Sequence, residues 1–230
     1  MAFASMLPAE TPVGPSTDRA AGLAEVARRV SPTVLAVDRT LPVAPALAGL
    51  LPGGLRRGTT VGVSGVGARS LALALLSAAT VTGSWAAVVG DRDLGLASAA
   101  EAGVDLQRLA VVELPSPRLW GKVVASLVAS LDLVLVAPGY RVSGIVVRRL
   151  TARCRERGSV LIRVGDDPWP DRCDLRLTVL TGTGSGPDDG HGRLRSRRVE
   201  VVADGRGAAA GSSRSELFLP GPNGAASDAG

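Results

Sequence analysis

Short apolar runs alternate with helical segments from residue 59 onward, and this alternation constrains the fold more than any other feature of the chain. Six runs are predicted to be strands: 59–64, 86–90, 109–113, 131–137, 159–164 and 175–180. The segments 69–82, 94–102, 117–130 and 143–157 have helical character. Strands that are apolar along their whole length need cover on both faces, which predicts an α/β fold with a mostly parallel central sheet and helices on both sides. A further strand at 198–203 is predicted to be antiparallel at the C-terminal end of the sheet.

The predicted domain spans residues 17–203 and lies between two tails. Residues 1–16 are rich in Pro, Thr and Ala and predict a flexible tail, followed by a helix capped by Thr17 or Asp18 that runs to about Val30. A short apolar helix is predicted over 41–51. Glycine and polar residues predict a flexible loop over 181–192 and a mostly disordered tail over 204–230, in which the apolar segment 217–220 is expected to dock back.

Composition and charge exclude some classes of protein without identifying one. The net charge of +5 permits contact with nucleic acid. The excess of arginine, which comes with abundant Ala and Gly, can also result from the base composition of the genome alone. The apolar stretch 123–136 is interrupted by Ser126, Ser130 and Asp132 and is too short to span a membrane. The N-terminus lacks a signal-peptide pattern, and the two cysteines lack metal-ligand spacing, so a cytoplasmic protein without a metal site is expected.

A glycine loop follows the first of these strands and has the form of a phosphate-binding P-loop with two substitutions. The P-loop pattern is G-x-x-x-x-G-K-[ST] between a strand and a helix, and Gly62 and Gly67 have its spacing, with Gly65 between them. The lysine position holds Ala68 and the metal-binding hydroxyl position holds Arg69, while Ser70 comes one residue late.

These substitutions separate binding from hydrolysis. Glycine amides and a helix N-terminus still suit a phosphate, so residual binding of ATP or another anion stays open, beside the alternative of a plain strand–helix turn without a ligand. Hydrolysis needs the lysine and the hydroxyl that holds Mg²⁺, and both are missing. The strand 131–137 also ends in Ala137 and Pro138, where a Walker B carboxylate belongs, and its Asp132 lies at the beginning. The expectation is a protein with no catalytic residue, no metal and no required cofactor.

Three motifs in order give the chain a resemblance to the RecA recombinase family over about residues 40–203. The run 51–58 resembles the family's Gly-Gly-Leu-x-x-Gly segment, the glycine loop follows at the family's distance, and residues 90–105 resemble a strand–helix unit that ends in Gly-Val-Asp. In that family the second strand leads to a catalytic glutamate, and Asp91 falls nearest to that position. The long DNA-binding loops of the family are reduced here to residues 139–141 and 165–174.

A shortened RecA-like chain with a degenerate P-loop is similar to ImuA-type proteins, above all the actinobacterial ImuA-prime branch. The resemblance implies an accessory protein of SOS-induced DNA repair and error-prone translesion synthesis, with an ImuB-like Y-family polymerase homologue and an error-prone C-family DNA polymerase as partners. DNA contact and association with the nucleoid stay open. So do two alternatives: an atypical DNA-dependent ATPase that uses Arg69 and Asp91, and a cell-division inhibitor that resembles SulA.

Two arginine-rich segments and one tryptophan are candidate contacts with DNA or a partner protein. The helix 143–157 carries the first set, and the second set precedes or enters the last predicted strand, where alternate residues share one face. Trp169 lies between two prolines, which suits a protein contact. An ordinary solvated surface is the alternative for both charged segments. The candidate arginines are Arg148, Arg149, Arg153, Arg193, Arg195, Arg197 and Arg198.

Overall fold

A computed structural model of the chain describes residues 39–91, 93–113, 116–186, 194–206 and 211–229. The strands are β1 (Thr40–Leu41), β2 (Leu55–Arg56), β3 (Thr60–Gly65), β4 (Ala86–Val89), β5 (Leu109–Val112), β6 (Leu133–Val136), β7 (Val160–Val164), β8 (Leu175–Ser185), β9 (Ser196–Gly205), β10 (Gly211–Phe218) and β11 (Ser227–Asp228). The α-helices are α1 (Ala68–Val81), α2 (Leu96–Glu101), α3 (Trp120–Ser130) and α4 (Gly144–Arg157). Short 3₁₀ helices lie at Pro45–Leu47, Leu106–Arg108 and Pro117–Leu119.

One sheet carries most of these strands, in the order β11-β10-β9-β8-β3-β7-β6-β4-β5. Every neighbouring pair from β8 to β5 is parallel, while β9, β10 and β11 are antiparallel to their neighbours. Parallel neighbours require crossover connections, and the helices supply them. The predicted α/β fold class, with a mostly parallel sheet and antiparallel strands at its C-terminal end, is confirmed.

The side chains of the parallel strands pack alternately against two layers of helices. In β6, Leu133 and Leu135 belong to the core under α1, and Val134 and Val136 belong to the core under α3 and α4. All four side chains are buried, as are those of β4. Each side chain buried in this way contributes about 1.5–3 kcal/mol. The predicted burial of both faces of the sheet is therefore confirmed.

The loop predicted over 181–192 is wrong in its first part, because β8 continues to Ser185. There it pairs with β9 in the register Thr183↔Arg198 and Gly184↔Arg197. A Cβ at Gly182 would lie 2.9 Å from Val199 Cγ1, so glycine allows a close approach here rather than a turn. Residues 187–192 of the predicted loop lie outside the described residues.

The disordered tail predicted from residue 204 is also wrong for residues 211–229. Strand β10 pairs with β9 over its whole length, and β11 pairs with β10. The Gly- and Ser-rich composition suggested mobility, but Leu217 and Leu219 are buried in the core together with Val199 and Val201 of β9. The expected docking of segment 217–220 is confirmed.

Two other N-terminal predictions have different outcomes. The predicted helix over 41–51 is a single 3₁₀ turn, Pro45–Leu47, after β1. The predicted tail 1–16 and the helix that ends near Val30 lie outside the described residues. No helix in the described part of the chain is long and apolar enough to cross a bilayer.

Candidate functional site

The glycine loop lies at the carboxyl end of β3 and leads directly into α1, at the edge of the sheet where open α/β proteins bind ligands. Gly65 and Gly67 have φ values of +92° and +95°, which favour glycine. A Cβ at Gly65 would lie only 2.0 Å from the carbonyl oxygen of Val179 in β8. Gly62 lies in β3, Ala68 begins α1 as a buried residue, and Ser70 is half-buried in the first turn. The loop therefore keeps the position of a P-loop, between a strand and a helix, and two glycines in the conformation that favours glycine.

Arg69 and Asp91 form a two-point ion pair beside this loop. The Arg69 Nε atom donates to Asp91 Oδ2 at 2.8 Å, and Nη2 donates to Oδ1 at 2.9 Å. The Asp91 side chain is 1% exposed and the Arg69 side chain 45% exposed. Asp93 is a weaker neighbour, with its Oδ2 atom 3.4 Å from Arg69 Nη2 and its backbone N–H donating to Asp91 Oδ1. A guanidinium thus neutralises the buried carboxylate with parallel, charge-assisted hydrogen bonds.

A second carboxylate occupies part of the loop itself. The backbone N–H of Gly65 donates to Asp166 Oδ1 at 3.0 Å. Asp166 follows β7, which lies beside β3 in the sheet. In a functional P-loop such amides donate to phosphate oxygens. An anionic ligand must therefore compete with Asp166 for this amide.

Arg197 approaches the loop from the antiparallel part of the sheet. Its Nη1 atom lies 3.2 Å from the position of a Cβ at Gly67, and its Cδ atom lies 3.1 Å from that of Gly182. The aliphatic part of the side chain therefore crosses Gly182, and the guanidinium ends next to the glycine loop. Arg69 and Arg197 place positive charge on this site from two different elements.

The other arginines near the last strands do not join it. Arg195 is exposed and precedes β9, and Arg198 donates through Nε to Glu216 Oε2 at 3.1 Å across the β9–β10 pair. Arg193 lies outside the described residues. The predicted sharing of one strand face by Arg193, Arg195 and Arg197 stays a prediction, because Arg193 is not described and β9 begins at Ser196.

The end of β6 supplies no acidic group to the site. Ala137 follows the strand and is half-buried, and Pro138 is buried. Asp132 lies at the opposite end of β6, where it accepts from Arg57 Nη1 at 2.7 Å and from the Trp85 backbone N–H at 3.0 Å. These bonds tie three segments together, so Asp132 has a structural role. In the described ranges no group of three or more His, Cys, Asp or Glu residues is placed to hold a metal ion.

The remaining candidate contacts lie on or near α4. Arg148, Arg149 and Arg153 are exposed on this helix, and Arg149 and Arg153 line a cavity of about 530 Å³ between α3 and α4. Trp169 is half-buried, and its ring packs edge-to-face against Trp120 with ring centres 6.2 Å apart. The packing of Trp169 on the core leaves only part of its ring available to a partner.

Sequence reasoning identified Arg69, Asp91 and the glycine loop but missed two neighbours of that loop. An Asp-Asp pair in a loop is ordinarily solvated, so nothing in the local sequence distinguishes Asp166. The signal for it is topological, since it follows a strand that borders β3. Arg197 was singled out as one of several arginines rather than as a neighbour of Gly67, because its position depends on the length of β8 and β9.

The sheet and its glycine loop define a RecA-like α/β protein. The crystal structure of the RadB recombinase superposes with a TM-score of 0.59 at 17% identity, covering 81% of this chain and 97% of that one. The chain belongs to the MT3502 N-terminal domain family, whose model matches residues 49–171. An uncharacterized Mycobacterium tuberculosis protein, Rv3395c, is 37% identical over 157 residues, which are 64% of this chain and 74% of the relative. The family match includes Arg69, Asp91 and Asp166 but not Arg197.

Proposed function

We propose that this chain is a non-catalytic RecA-like accessory protein of SOS-induced DNA repair, which supports error-prone translesion synthesis by binding other proteins. Its proposed partners are an ImuB-like Y-family polymerase homologue and an error-prone C-family DNA polymerase. No nucleotide cofactor is needed for this function, and DNA contact is not required. The proposed location is the cytoplasm, with association to the nucleoid through the polymerases.

The ion pair between Arg69 and Asp91 is the observation that carries the non-catalytic part of the proposal. In a P-loop NTPase, Mg²⁺ is held by the hydroxyl at the position of Arg69 and neutralises the phosphates during transfer. A guanidinium cannot ligate a metal, and here it binds the acidic group nearest to the family's catalytic position with two hydrogen bonds. Asp166 on the Gly65 amide adds an internal anion in the cradle. The site's own side chains therefore compensate one another's charges.

The translesion role is supported by the sequence resemblance and by the mycobacterial relative. The motifs that resemble the RecA family, on which the resemblance to ImuA-type proteins is built, lie between residues 51 and 105, inside the region matched by the family model. A relative from Mycobacterium tuberculosis is in keeping with the actinobacterial branch of that type. The likeness to RadB supports the RecA-like scaffold on which such a role depends.

One specific observation favours a second candidate, an atypical DNA-dependent ATPase. Arg69 and Asp91 are in contact, as a two-residue catalytic unit would require. The geometry argues against this candidate, because both carboxylate oxygens of Asp91 accept from the arginine and neither is free to act as a base on water. This candidate requires ATP turnover that is lost in Arg69→Ala.

Co-purification tests the proposed function. The tagged full-length chain is expressed with the ImuB-like protein and the C-family polymerase of its own genome, and complexes are isolated at about 0.15 M salt, where weak surface charge contacts are screened. A stoichiometric complex is expected, and it should persist in Arg69→Ala if that variant stays folded. Recovery of neither partner would overturn the proposal. Filamentous cells after overexpression, with no change in mutation rate, would instead favour the cell-division inhibitor.

A further inference from the structure

A groove between α3 and α4 is separate from the glycine loop. Its cavity of about 530 Å³ begins at the N-terminal ends of both helices and follows α4 to Arg153. Gly121 brings the two helices together at one end, because a Cβ there would lie 2.9 Å from Val146 Cγ1. We call this feature the α3–α4 groove; it is lined by Pro117, Arg118, Trp120, Gly121, Lys122, Ala125, Tyr140, Arg141, Val142, Ser143, Val146, Arg149, Leu150 and Arg153.

The rim of the α3–α4 groove carries unbalanced positive charge. Its five cationic side chains are exposed, and no Asp or Glu lines the groove. Within the described residues none of the five forms an ion pair, whereas Arg57, Arg69, Arg155, Arg198 and Arg214 elsewhere each have an acidic partner. Like charges held around one cavity repel each other and favour an anionic occupant. The five are Arg118, Lys122, Arg141, Arg149 and Arg153.

The floor of the groove is apolar and contains two polar atoms that lack a partner. Trp120 is 2% exposed, and its Nε1 atom makes no hydrogen bond with any described residue. The same is true of the Tyr140 hydroxyl, and burial raises the pKa of that group. A buried donor without an acceptor costs about 1–3 kcal/mol. Both atoms are buried below the surface, so the floor that an occupant meets is apolar.

We propose that the α3–α4 groove binds an acidic amphipathic segment of a partner protein. Carboxylates of the segment pair with the arginines of the rim, and its apolar side chains lie on Val142, Val146 and Leu150, in the manner of a helix in a groove. The exposed Leu119 and Ile145, each next to a lining residue, extend the apolar surface. The inference rests on the proposed binding function and names the chemistry of the partner.

Nucleic acid fits the groove less well than such a segment. Proteins that bind single strands stack bases on exposed aromatic rings. Trp120 is almost completely buried, and Tyr140 is half-buried, so neither offers a free ring face. Only the phosphates of a nucleic acid would contact the rim, and the apolar floor would remain uncovered.

Fluorescence anisotropy with the full-length chain tests the inference. The probe is a labelled peptide of about 15 residues, roughly four helical turns, with leucines at helical spacing and Asp or Glu elsewhere. The matched probe carries Asn and Gln in place of the acids, and a single-stranded oligonucleotide serves as competitor. The acidic peptide is expected to bind with a Kd of about 1–100 μM, and the neutral peptide at least about tenfold more weakly.

Two adjacent residues of α4 provide a matched pair of variants. Arg149 lines the groove and Arg148 does not, although both are exposed and unpaired among the described residues. Arg149→Glu should weaken peptide binding about tenfold and Arg148→Glu less than about threefold, because screened charges act mainly at contact. Ala125→Trp, which fills the floor without changing charge, should abolish binding. Far-UV circular dichroism checks that each variant is folded.

Three results would overturn the inference: no peptide binding up to about 1 mM, equal losses in Arg148→Glu and Arg149→Glu, or displacement of the peptide by the oligonucleotide at lower concentration. The proposed function fails separately. A polymerase complex that Arg149→Glu leaves intact, without peptide binding, would retain the accessory function and reject the groove. Peptide binding at the groove without any polymerase complex would retain the groove and reject the accessory function.

Discussion

Arg69 is one of two residues of the glycine loop that depart from the P-loop pattern, and it changes the charge of the loop. The glycines of the loop remain, with positive φ values at Gly65 and Gly67. The guanidinium of Arg69 lies in the first turn of α1, where the P-loop pattern has the hydroxyl that binds Mg²⁺. The positive charge of Arg69 neutralises Asp91, whose side chain is 1% exposed. Leaving this buried carboxylate without a partner would destabilise the fold. The ion pair is therefore a structural element of the site, and in the proposed function it also prevents catalysis.

Removal of the arginine should destabilise the fold. Arg69→Ala leaves a buried carboxylate without its partner and is expected to lower the free energy of unfolding by about 2–4 kcal/mol in urea titrations. Arg69→Lys should recover only part of this loss, since an ammonium cannot form two parallel bonds. Arg118→Ala, at an exposed arginine without an ion pair in the described chain, should change stability by less than about 0.5 kcal/mol. Equal effects at the two positions would contradict the importance of the pair.

Gly65 should be intolerant of any side chain. Gly65→Ala places a Cβ 2.0 Å from the Val179 carbonyl oxygen at a φ of +92°. Strain and overlap together should cost about 3–5 kcal/mol. Gly139→Ala, where nothing lies within 4 Å of the new Cβ, is the control and should be nearly neutral. Thermal unfolding of the two variants compares them, and similar melting temperatures would argue against the described loop.

Cys154 should make stability fall at alkaline pH. Burial raises the pKa of its thiol from 9.0 to about 11, so between these values the unfolded chain loses a proton that the folded chain retains. Stability is then full below pH 9 and decreases toward pH 11, by up to about 2–3 kcal/mol. Urea titrations across this range should show a shallower slope for Cys154→Ala than for the wild type, and part of the slope should remain because burial also raises the pKa of Cys173 and Tyr140. A wild-type slope that is unchanged in Cys154→Ala would contradict the assignment.

At the scale of elements, the apolar strands, the helices and one antiparallel strand at the C-terminal end were predictable, whereas the extension of β8 to Ser185 and the strands β10 and β11 were not. Leu133 to Val136 is apolar at every position, which indicates a central strand regardless of context. Residues 181–185 alternate Thr and Gly, a pattern that predicts a turn, and they become a strand only because β9 pairs with them. Propensity describes local preference, whereas this pairing depends on residues far along the chain.

The same reasoning applies to the candidate site. The glycine loop and the missing lysine are local and were visible in the sequence, but the contacts of Asp166 and Arg197 with the loop depend on strand order. Composition suggested a mobile C-terminal segment, and only the apolar residues 217–220 indicated that part of it reaches the core, where Leu217 and Leu219 are buried.

The last long strand should contribute strongly to stability. Leu217→Ala in β10 removes a fully buried side chain that packs with Val199 and Val201, and should cost about 2–5 kcal/mol. Ser212→Ala, in the same strand but exposed, should cost less than about 0.5 kcal/mol. Chemical denaturation measures both. A small loss in Leu217→Ala would mean that residues 211–229 do not complete the core.

At the largest scale, the described part of the chain combines a RecA-like sheet with a positively charged groove on one of its helical layers. The glycine loop lies at the carboxyl edge of the sheet, and the α3–α4 groove lies on the helical layer that begins at the same edge. Beside the glycine loop the charges of Arg69 and Asp91 neutralise each other, whereas the positive charges around the α3–α4 groove have no acidic partner among the described residues. Compensated charge favours a fixed structure, and uncompensated charge suits the partner binding that we propose.

ATP turnover by the purified full-length chain, with Mg²⁺ and single-stranded DNA present, tests the central claim most directly. If Arg69 and Asp91 are held together as described, phosphate release should equal that of a protein-free control and should not increase in Arg69→Ala. DNA-dependent turnover at about 1 s⁻¹ or faster, within the ordinary range of enzymes, would contradict the account.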